Sequence, residues 1–65
     1  MDTEYVEFED CKLLKSTDKA GLFKIENKQY WIPWSQVHPE DSIDKDGQEG
    51  TLVITQWIAE QKELV

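Results

Sequence analysis

Apolar and polar residues alternate along residues 4–14, which is the spacing of a β-strand that buries one of its faces. Val6 and Phe8 fall on one face, but the apolar set changes parity between Phe8 and Cys11. A parity change of this kind is typical of a β-bulge or a sharp bend. The pattern therefore predicts a long first strand that bends near its middle.

A β-hairpin is predicted after a short polar turn. Residues 20–26 and residues 29–32 are rich in β-formers and predict two antiparallel strands. Asn27 and Lys28 lie between them as a two-residue turn, and Asn tolerates the left-handed conformation that a type I′ turn requires. Pro33 has no N–H to donate to a ladder, so it ends the return strand or lies on a sheet edge.

A long polar stretch separates this hairpin from the last strand. Residues 35–37 predict a 3₁₀ turn, and residues 38–50 form a loop with Ile43 as its lone apolar anchor. A loop of this length is usually functional or mobile. Residues 51–55 are again rich in β-branched side chains and predict the final strand.

Residues 56–64 have the composition of a helix that docks on the sheet. Trp57, Gln61 and Leu64 follow the i, i+4, i+7 spacing of one helix face, which predicts that Trp57 is a core residue. Thr55 is placed to cap the first turn of this helix. Because a helix of about ten residues does not persist alone in water, it must pack against the sheet.

These elements predict a mainly β fold: a small SH3- or OB-like, partly open antiparallel barrel with a short C-terminal helix. Its 65 residues correspond to one domain, 1–65, of a size that is only marginally stable. The single cysteine, Cys11, excludes an internal disulfide, and Cys11 with His38 is too small a ligand set for structural zinc. A homodimer through the first strand or the aromatic face is therefore one hypothesis.

The net charge of −7 is unevenly distributed along the chain. Residues 1–11 carry five acids and no cation, residues 12–28 carry five lysines and two acids, and residues 29–65 carry seven acids and two lysines. Arginine, the usual residue for bidentate phosphate contacts, is absent, which argues against sequence-specific DNA binding. The acidity either keeps the protein soluble or forms a face that engages a basic partner.

The chain has no apolar run of the ~20 residues that a membrane span needs, and it opens with no signal peptide. A soluble protein of the reducing cytoplasm, here that of a bacterial host, is the expectation.

Three segments carry a resemblance to a known group. Residues 31–37 read Trp-Ile-Pro-Trp-Ser-Gln-Val, residues 50–54 read Gly-Thr-Leu-Val-Ile, and residues 57–62 read Trp-Ile-Ala-Glu-Gln-Lys. In this order they resemble the pattern WIP-x-SQ-aliphatic, G-x-L-aliphatic, WIA-xx-K of small proteins from phages and bacterial mobile elements. The resemblance covers most of residues 19–62 and implies a phage-type origin and a β-rich fold rather than a particular activity.

Two positions depart from the pattern of that group. Asn27 and Lys28 stand where the group often has Asp-Gly, and Glu63 stands where a glycine often precedes the last leucine. Neither departure affects the Trp-Ile-Pro segment.

No set of residues has the spacing of a catalytic or metal site. One histidine, His38, and one cysteine, Cys11, with scattered acids make no recognisable triad or dyad, so an enzyme is not expected. Residues 44–49 resemble part of a calcium loop, but counting from Asp44 puts Thr55 where an EF-hand needs a bidentate glutamate. The sequence therefore predicts no cofactor and no metal.

The aromatic residues around Pro33 are the strongest candidates for a binding surface. Tyr30 and Ile32 share one face of the return strand, so Trp31 points to the opposite face if Ile32 is in the core. Trp34 follows the proline and is expected to fold over the end of the barrel. For Trp31 and Trp34 both core packing and an exposed binding role remain open, since tryptophan is typical of each.

Our first hypothesis is a small acidic binding protein of phage type that occupies the surface of a larger host or phage protein. In this hypothesis the protein inhibits a nucleic-acid-handling defence or replication factor, with acids steering the approach and tryptophans anchoring the contact. The predicted partner-binding residues are Trp31, Trp34, Tyr30, Asp44, Asp46 and Glu49.

The alternative is an SH3- or OB-like module that binds single-stranded nucleic acid or a nucleotide. Trp31, Trp34 and Tyr30 would stack on bases. The five lysines of residues 12–28 could form a cationic stripe, in which Lys12, Lys24 and Lys28 would meet phosphates. The opposing interpretation of these lysines is ordinary edge-strand charge, which discourages sheet-to-sheet aggregation. The overall negative charge makes nucleic acid the less favoured partner.

Overall fold

The computed structural model describes residues 3–65, and the acidic residue Asp2 lies outside this range. Four antiparallel strands form one sheet in the order β3-β2-β1-β4. The elements are β1 (Tyr5–Ser16), β2 (Ala20–Ile25), β3 (Lys28–Pro33), a 3₁₀ turn (Trp34–Gln36), β4 (Glu49–Thr55) and α1 (Gln56–Gln61). No helix among the described residues is long and apolar enough to cross a membrane.

The predicted bend in the first strand is confirmed. The register of β1 against β4 shifts between Phe8 and Cys11, and Asp10 there has a left-handed φ of 58°. The bend divides β1 into two halves with different neighbours. The first half pairs with β4, and pairing with β2 begins only at Lys12.

The hairpin turn lies one residue earlier than the sequence predicts. Ile25 pairs with Lys28, so the central turn residues are Glu26 and Asn27 rather than Asn27 and Lys28. Both have positive φ, 50° and 71°, as a type I′ turn requires. The register is set by burial, because it keeps Phe23 on the core face, and a slip of one residue would turn it outward.

The chain that leaves β3 crosses to the far edge of the sheet. After the 3₁₀ turn, Val37 forms an isolated bridge with Ile54 of β4, and the His38 N–H donates to the Val53 carbonyl at 2.9 Å. Ile43, buried as predicted, donates its N–H to β4 at 3.1 Å. The sheet itself stays open, so the fold is mainly β with a four-stranded antiparallel sheet and a short C-terminal helix.

The core lies on one face of this sheet, under the 3₁₀ turn and α1. Its most deeply buried side chains come from all four strands, so each strand contributes to the core. They are Cys11, Leu13, Phe23, Ile32, Leu52 and Ile54.

The prediction that Trp57 is a core residue is wrong. Its side chain is 58% exposed, and Ile58 and Ala59 are the buried residues of α1. The reason is that α1 follows β4 without a loop, so the strand fixes which residues of the first turn meet the sheet. The predicted cap is confirmed, since the Thr55 hydroxyl accepts a hydrogen bond from the Ile58 N–H at 3.2 Å.

The helix ends sooner than predicted, at Gln61, in a Schellman motif. The Leu64 N–H donates to the Ala59 carbonyl at 2.8 Å, and the Glu63 N–H donates to the Glu60 carbonyl at 3.1 Å. This motif needs a left-handed residue, and Glu63 fills that position with a φ of 60°. Leu64 thereby packs against the core although it lies beyond the helix.

Replacing Glu63 with glycine is expected to stabilise the protein by about 0.5–1 kcal/mol. Glycine adopts the left-handed conformation without the strain that a side chain suffers, and this gain exceeds its larger entropy in the unfolded chain. Glu63→Gln is the matched control, because it removes the charge but keeps the strain. Urea denaturation measures both variants, and an equal effect of the two substitutions would assign the gain to charge alone.

Candidate binding surface on the outer face of the sheet

The sheet face opposite the core carries an aromatic ring among lysines. Cross-strand pairs align Trp31 of β3 with Leu22 of β2, and Leu22 with Lys15 of β1. In the neighbouring row, Lys24 of β2 pairs with Lys12 of β1. Directly paired residues of antiparallel strands share a face, so these five side chains form one surface, here named the outer face.

Trp31 is the exposed aromatic residue of the outer face and lies on the edge strand β3. Its side chain is 42% exposed, which confirms the prediction that Trp31 points away from the core. The Lys15 ammonium lies 5.8 Å from the centre of the ring, within the range of a cation–π contact. Trp31 is thus held in position on a strand without being needed to fill the core.

The lysines of the outer face lie close to one another and form no ion pair within 4.0 Å in the described residues, although Glu49 stands directly opposite Lys12 on β4. Lys12 stands directly opposite Lys24, and like charges in that position destabilise a sheet. In residues 3–65 the one contact within 4.0 Å between a basic nitrogen and a carboxylate is that of His38 Nε2 with Asp41 at 3.8 Å, so no described carboxylate lies this close to the lysine ammonium groups. The five side chains of the outer face therefore carry three positive charges, bounded at the β4 edge by the carboxylate of Glu49, although the chain as a whole carries −7.

Sequence reasoning counted Lys15 among the lysines of residues 12–28 but did not single it out as a member of this surface. Lys15 lies two residues after the buried Leu13, and simple alternation puts both on the core face. An irregularity in β1 between Leu13 and Lys15 reverses the parity and brings Lys15 to the same side as Lys12. The available signal was the pair of adjacent leucines, Leu13 and Leu14, which interrupts the alternation.

Trp34 does not join the outer face. Its indole Nε1–H donates to the Thr17 carbonyl at 2.8 Å. Its ring packs edge-to-face on Phe23, with centroids 5.7 Å apart at 78°. Of the two roles left open for Trp34, the structure thus gives the packing role.

Tyr30 is separated from Trp31 by the alternation of β3. It pairs with Phe23 on the core face and is half-buried against the core. Lys28 lies on that same face, opposite Ile25. The predicted lysine stripe is therefore not assembled as a unit, because Lys28 is on the other side of the sheet from Lys12 and Lys24.

The three acids predicted to bind a partner lie away from Trp31. Asp44 and Asp46 belong to the loop before β4, where the Asp46 carboxylate accepts a hydrogen bond from the Ser16 hydroxyl at 2.6 Å. The Gln48 side-chain oxygen accepts from the Asp44 N–H at 3.0 Å, so the loop carries its own order. Glu49 pairs with Lys12, three strands away from Trp31.

His38 organises the start of the long loop. Its Nδ1 accepts hydrogen bonds from the N–H groups of Glu40 and Asp41, both at 3.1 Å. Its ring stacks edge-to-face with Tyr5 at 4.7 Å. These contacts give His38 a role in ordering the loop.

Cys11 is a buried core residue, 1% exposed. Burial raises the pKa of its thiol, and the nearby carboxylates of Asp10 and Glu26 act in the same direction, against a backbone hydrogen bond at Leu52. The thiolate is the reactive form, so the folded protein keeps this cysteine unreactive near neutral pH.

Cys11 is expected to make the stability fall with rising pH above about 8.5, where the thiol of the unfolded chain begins to ionise. Because the pKa of the Cys11 thiol is higher in the folded state than in the unfolded state, the protonated thiol stabilises the native state below the unfolded-state pKa. This contribution is lost as the pH rises through the folded-state pKa. Urea denaturation at about pH 7 and 9.5 measures the free-energy difference between the native protein and Cys11→Ala. A difference that does not change with pH would contradict the expectation.

Comparisons of the chain with protein-family models, with curated protein sequences and with solved structures found no match. The likeness to small phage proteins stays a prediction of the sequence.

Proposed function

We propose that this protein is a non-enzymatic binding module that docks on a larger protein through the outer face, with Trp31 as its anchor. The observation that supports the proposal is a tryptophan 42% exposed on a regular strand, set beside lysines that form no ion pair within 4.0 Å in the described chain. Tryptophan is enriched among the few residues that dominate binding energy at interfaces. A rigid strand presents it at little entropic cost.

The chemistry of the outer face defines the surface that it fits. Trp31 needs an apolar pocket, whereas its neighbour Leu22 is only 9% exposed and is already covered. Lys12, Lys15 and Lys24 need carboxylates or carbonyl oxygens around that pocket. Binding would also relieve the repulsion between Lys12 and Lys24, of which only Lys12 has an acid, Glu49, directly opposite it in the sheet. Such a complex weakens with added salt, since exposed charges are screened beyond about 8 Å at physiological ionic strength.

This proposal changes the contact surface that the sequence alone favoured. Trp31 keeps its anchor role, whereas Trp34 and Tyr30 are used in packing and Asp44 and Asp46 lie on a separate loop. Steering by the acidic residues and inhibition of a nucleic-acid-handling factor stay predictions of the sequence.

Trp31→Ala is expected to leave the protein folded and to weaken its binding to the protein partner by about 30-fold or more, the effect of a hot-spot residue. The loss of folding stability should be about 1 kcal/mol or less, because the side chain adds little to the core. Affinity capture from bacterial lysate, followed by titration of the recovered partner, measures the first effect, and thermal melting measures the second.

Trp57→Ala is the matched control, because it removes the same side chain from an exposed site on α1. It should bind the partner as the native protein does. Equal loss of partner binding in the two variants, or unfolding of Trp31→Ala, would contradict the proposal.

A second candidate function rests on the direct pairing of Lys12 with Lys24 beside an exposed ring. The same face would then bind single-stranded nucleic acid, with Trp31 stacking on a base and the lysines meeting phosphates. Two observations place it second: the ring already has the Lys15 ammonium at 5.8 Å, and Lys28 and Tyr30 lie on the other face.

Titration with poly-dT at low and moderate salt separates the two functions. Nucleic-acid binding requires a change in tryptophan emission that Trp31→Ala abolishes and that salt weakens steeply. Unchanged emission at both salt concentrations excludes the second candidate and leaves protein docking.

A further inference from the structure

A cleft lies where the bend in β1 separates its first half from β2, and it shares no lining residue with the outer face. Two adjoining cavities, of about 170 and 470 Å³, meet there and share Phe8, Ile25 and Glu26. Tyr30 and Leu64 extend the apolar floor on one side. The cleft is therefore an open groove, in which these apolar side chains lie among a mostly polar accessible lining.

One wall of the cleft is an unpaired strand edge. The Gln56 N–H donates to the Glu4 carbonyl at 2.9 Å, which places Glu4 in a hydrogen-bonded pair with β4. In an antiparallel ladder, hydrogen-bonded pairs alternate with pairs that exchange no hydrogen bond, so Val6, like Glu4, bonds to β4. The backbone N–H and C=O groups of Tyr5 and Glu7 therefore point to the opposite side, away from β4. On that side the β2 ladder begins only at Lys12, and in residues 3–65 no other strand pairs there.

The rim of the cleft is acidic. Glu7, Glu9 and Glu26 line one cavity, and Glu63 lines the other beside a single cation, Lys28. An occupant therefore needs positive charge along its length, an apolar residue for the floor, and free backbone groups for the strand edge. An extended segment that alternates basic and apolar residues supplies all of these.

A second copy of this chain does not fit the same requirement. Antiparallel pairing of two β1 edges centred on Glu7 would set the acidic rims of the two copies against each other. Like charges directly opposite one another destabilise a sheet. This argues against the homodimer through the first strand that the sequence left open.

We propose that this cleft is a second binding site, which takes a basic, extended segment of a partner protein as an added strand against the first half of β1. The segment pairs its backbone with Tyr5 and Glu7, sets an apolar side chain on Phe8 and Ile25, and presents lysine or arginine to the acidic rim. The site is independent of Trp31 and of the outer face.

The test uses the full chain and a capped synthetic peptide of alternating lysine and valine, about seven residues long, since strands of five to ten residues are usual. Fluorescence anisotropy is expected to show binding of this peptide and not of its glutamate–valine counterpart. Amide hydrogen exchange is expected to slow about tenfold or more at Glu7, the signature of a new ladder bond.

Matched variants locate the site. The double variant Glu9→Gln, Glu26→Gln should weaken binding by about tenfold. Glu40→Gln, Glu60→Gln removes the same charge elsewhere and should leave the affinity unchanged, as should Trp31→Ala.

Four outcomes would overturn the proposal: no binding at about 1 mM peptide, equal binding of the acidic peptide, equal weakening by the two double variants, or protection along β3 instead of at Glu7. Loss of peptide binding in Trp31→Ala would place the peptide on the outer face, which also overturns it. Trp31→Ala is expected to weaken docking through the outer face and to leave peptide binding in the cleft unchanged. Failure of this site and failure of the docking function are therefore distinguishable.

Discussion

Trp34→Ala is expected to destabilise the protein by about 3–5 kcal/mol, the usual cost of truncating a packed aromatic residue. The substitution removes the ring that packs on Phe23 at 5.7 Å and the indole donor to the Thr17 carbonyl at 2.8 Å. A domain of this size has a total stability of about 5 kcal/mol, so much of the population should unfold near room temperature. Circular dichroism and urea titration measure the loss.

The other two tryptophans serve as controls of the same residue type. Trp31→Ala and Trp57→Ala remove side chains that are 42% and 58% exposed, and each should cost about 1 kcal/mol or less. If Trp57→Ala unfolded the protein while Trp34→Ala melted normally, the assignment of structural and surface tryptophans would be reversed.

Gly21→Ala is expected to destabilise the protein by about 1–3 kcal/mol, and Gly21→Val by more. A Cβ at Gly21 would lie 2.9 Å from Cε2 of Phe23 and 3.0 Å from both Cδ1 of Leu13 and Cη2 of Trp34. A Cβ atom at these distances would force its neighbours to move, and the three side chains around the site are packed against one another in the core region. Thermal melting of the two variants gives the graded loss.

A double-mutant cycle tests the cause of this effect. Trp34→Phe removes Cη2 and should reduce the additional cost of Gly21→Ala, because one of the three close contacts disappears. A cost of Gly21→Ala that is unchanged in the Trp34→Phe background would assign the effect to β2 itself rather than to crowding with Trp34.

The alternation of apolar and polar residues in the sequence was sufficient to predict the strands and the face of β3 on which Trp31 lies. Alternation places Ile32 in the core and Trp31 outside, and the parity change after Phe8 marks the observed bulge. Both are local consequences of a period of two residues, so a single sequence contains them. The cap at Thr55 was predictable for the same reason, because it depends on neighbours within one turn.

The sequence predictions fail at positions where contacts between distant residues determine the structure. The helix stripe assigned to Trp57 assumed a long helix that is free to rotate, whereas α1 is short and tied directly to β4. The outer face depended on the irregularity near Lys15, which is stabilised by backbone bonds from Leu13 to the loop before β4. Contacts between residues far apart in the chain leave little trace in local spacing.

The central claim is that the outer face, and not the acidic loop, contacts the protein partner. The most direct test is a titration of the isotope-labelled protein with the captured partner, in which the NMR chemical shifts of the backbone amides and tryptophan indoles are measured. We expect the largest changes at Trp31, Leu22, Lys12, Lys15 and Lys24, with the Trp34 indole unmoved and protected from exchange. Changes confined to Asp44, Asp46 and α1 would contradict the account.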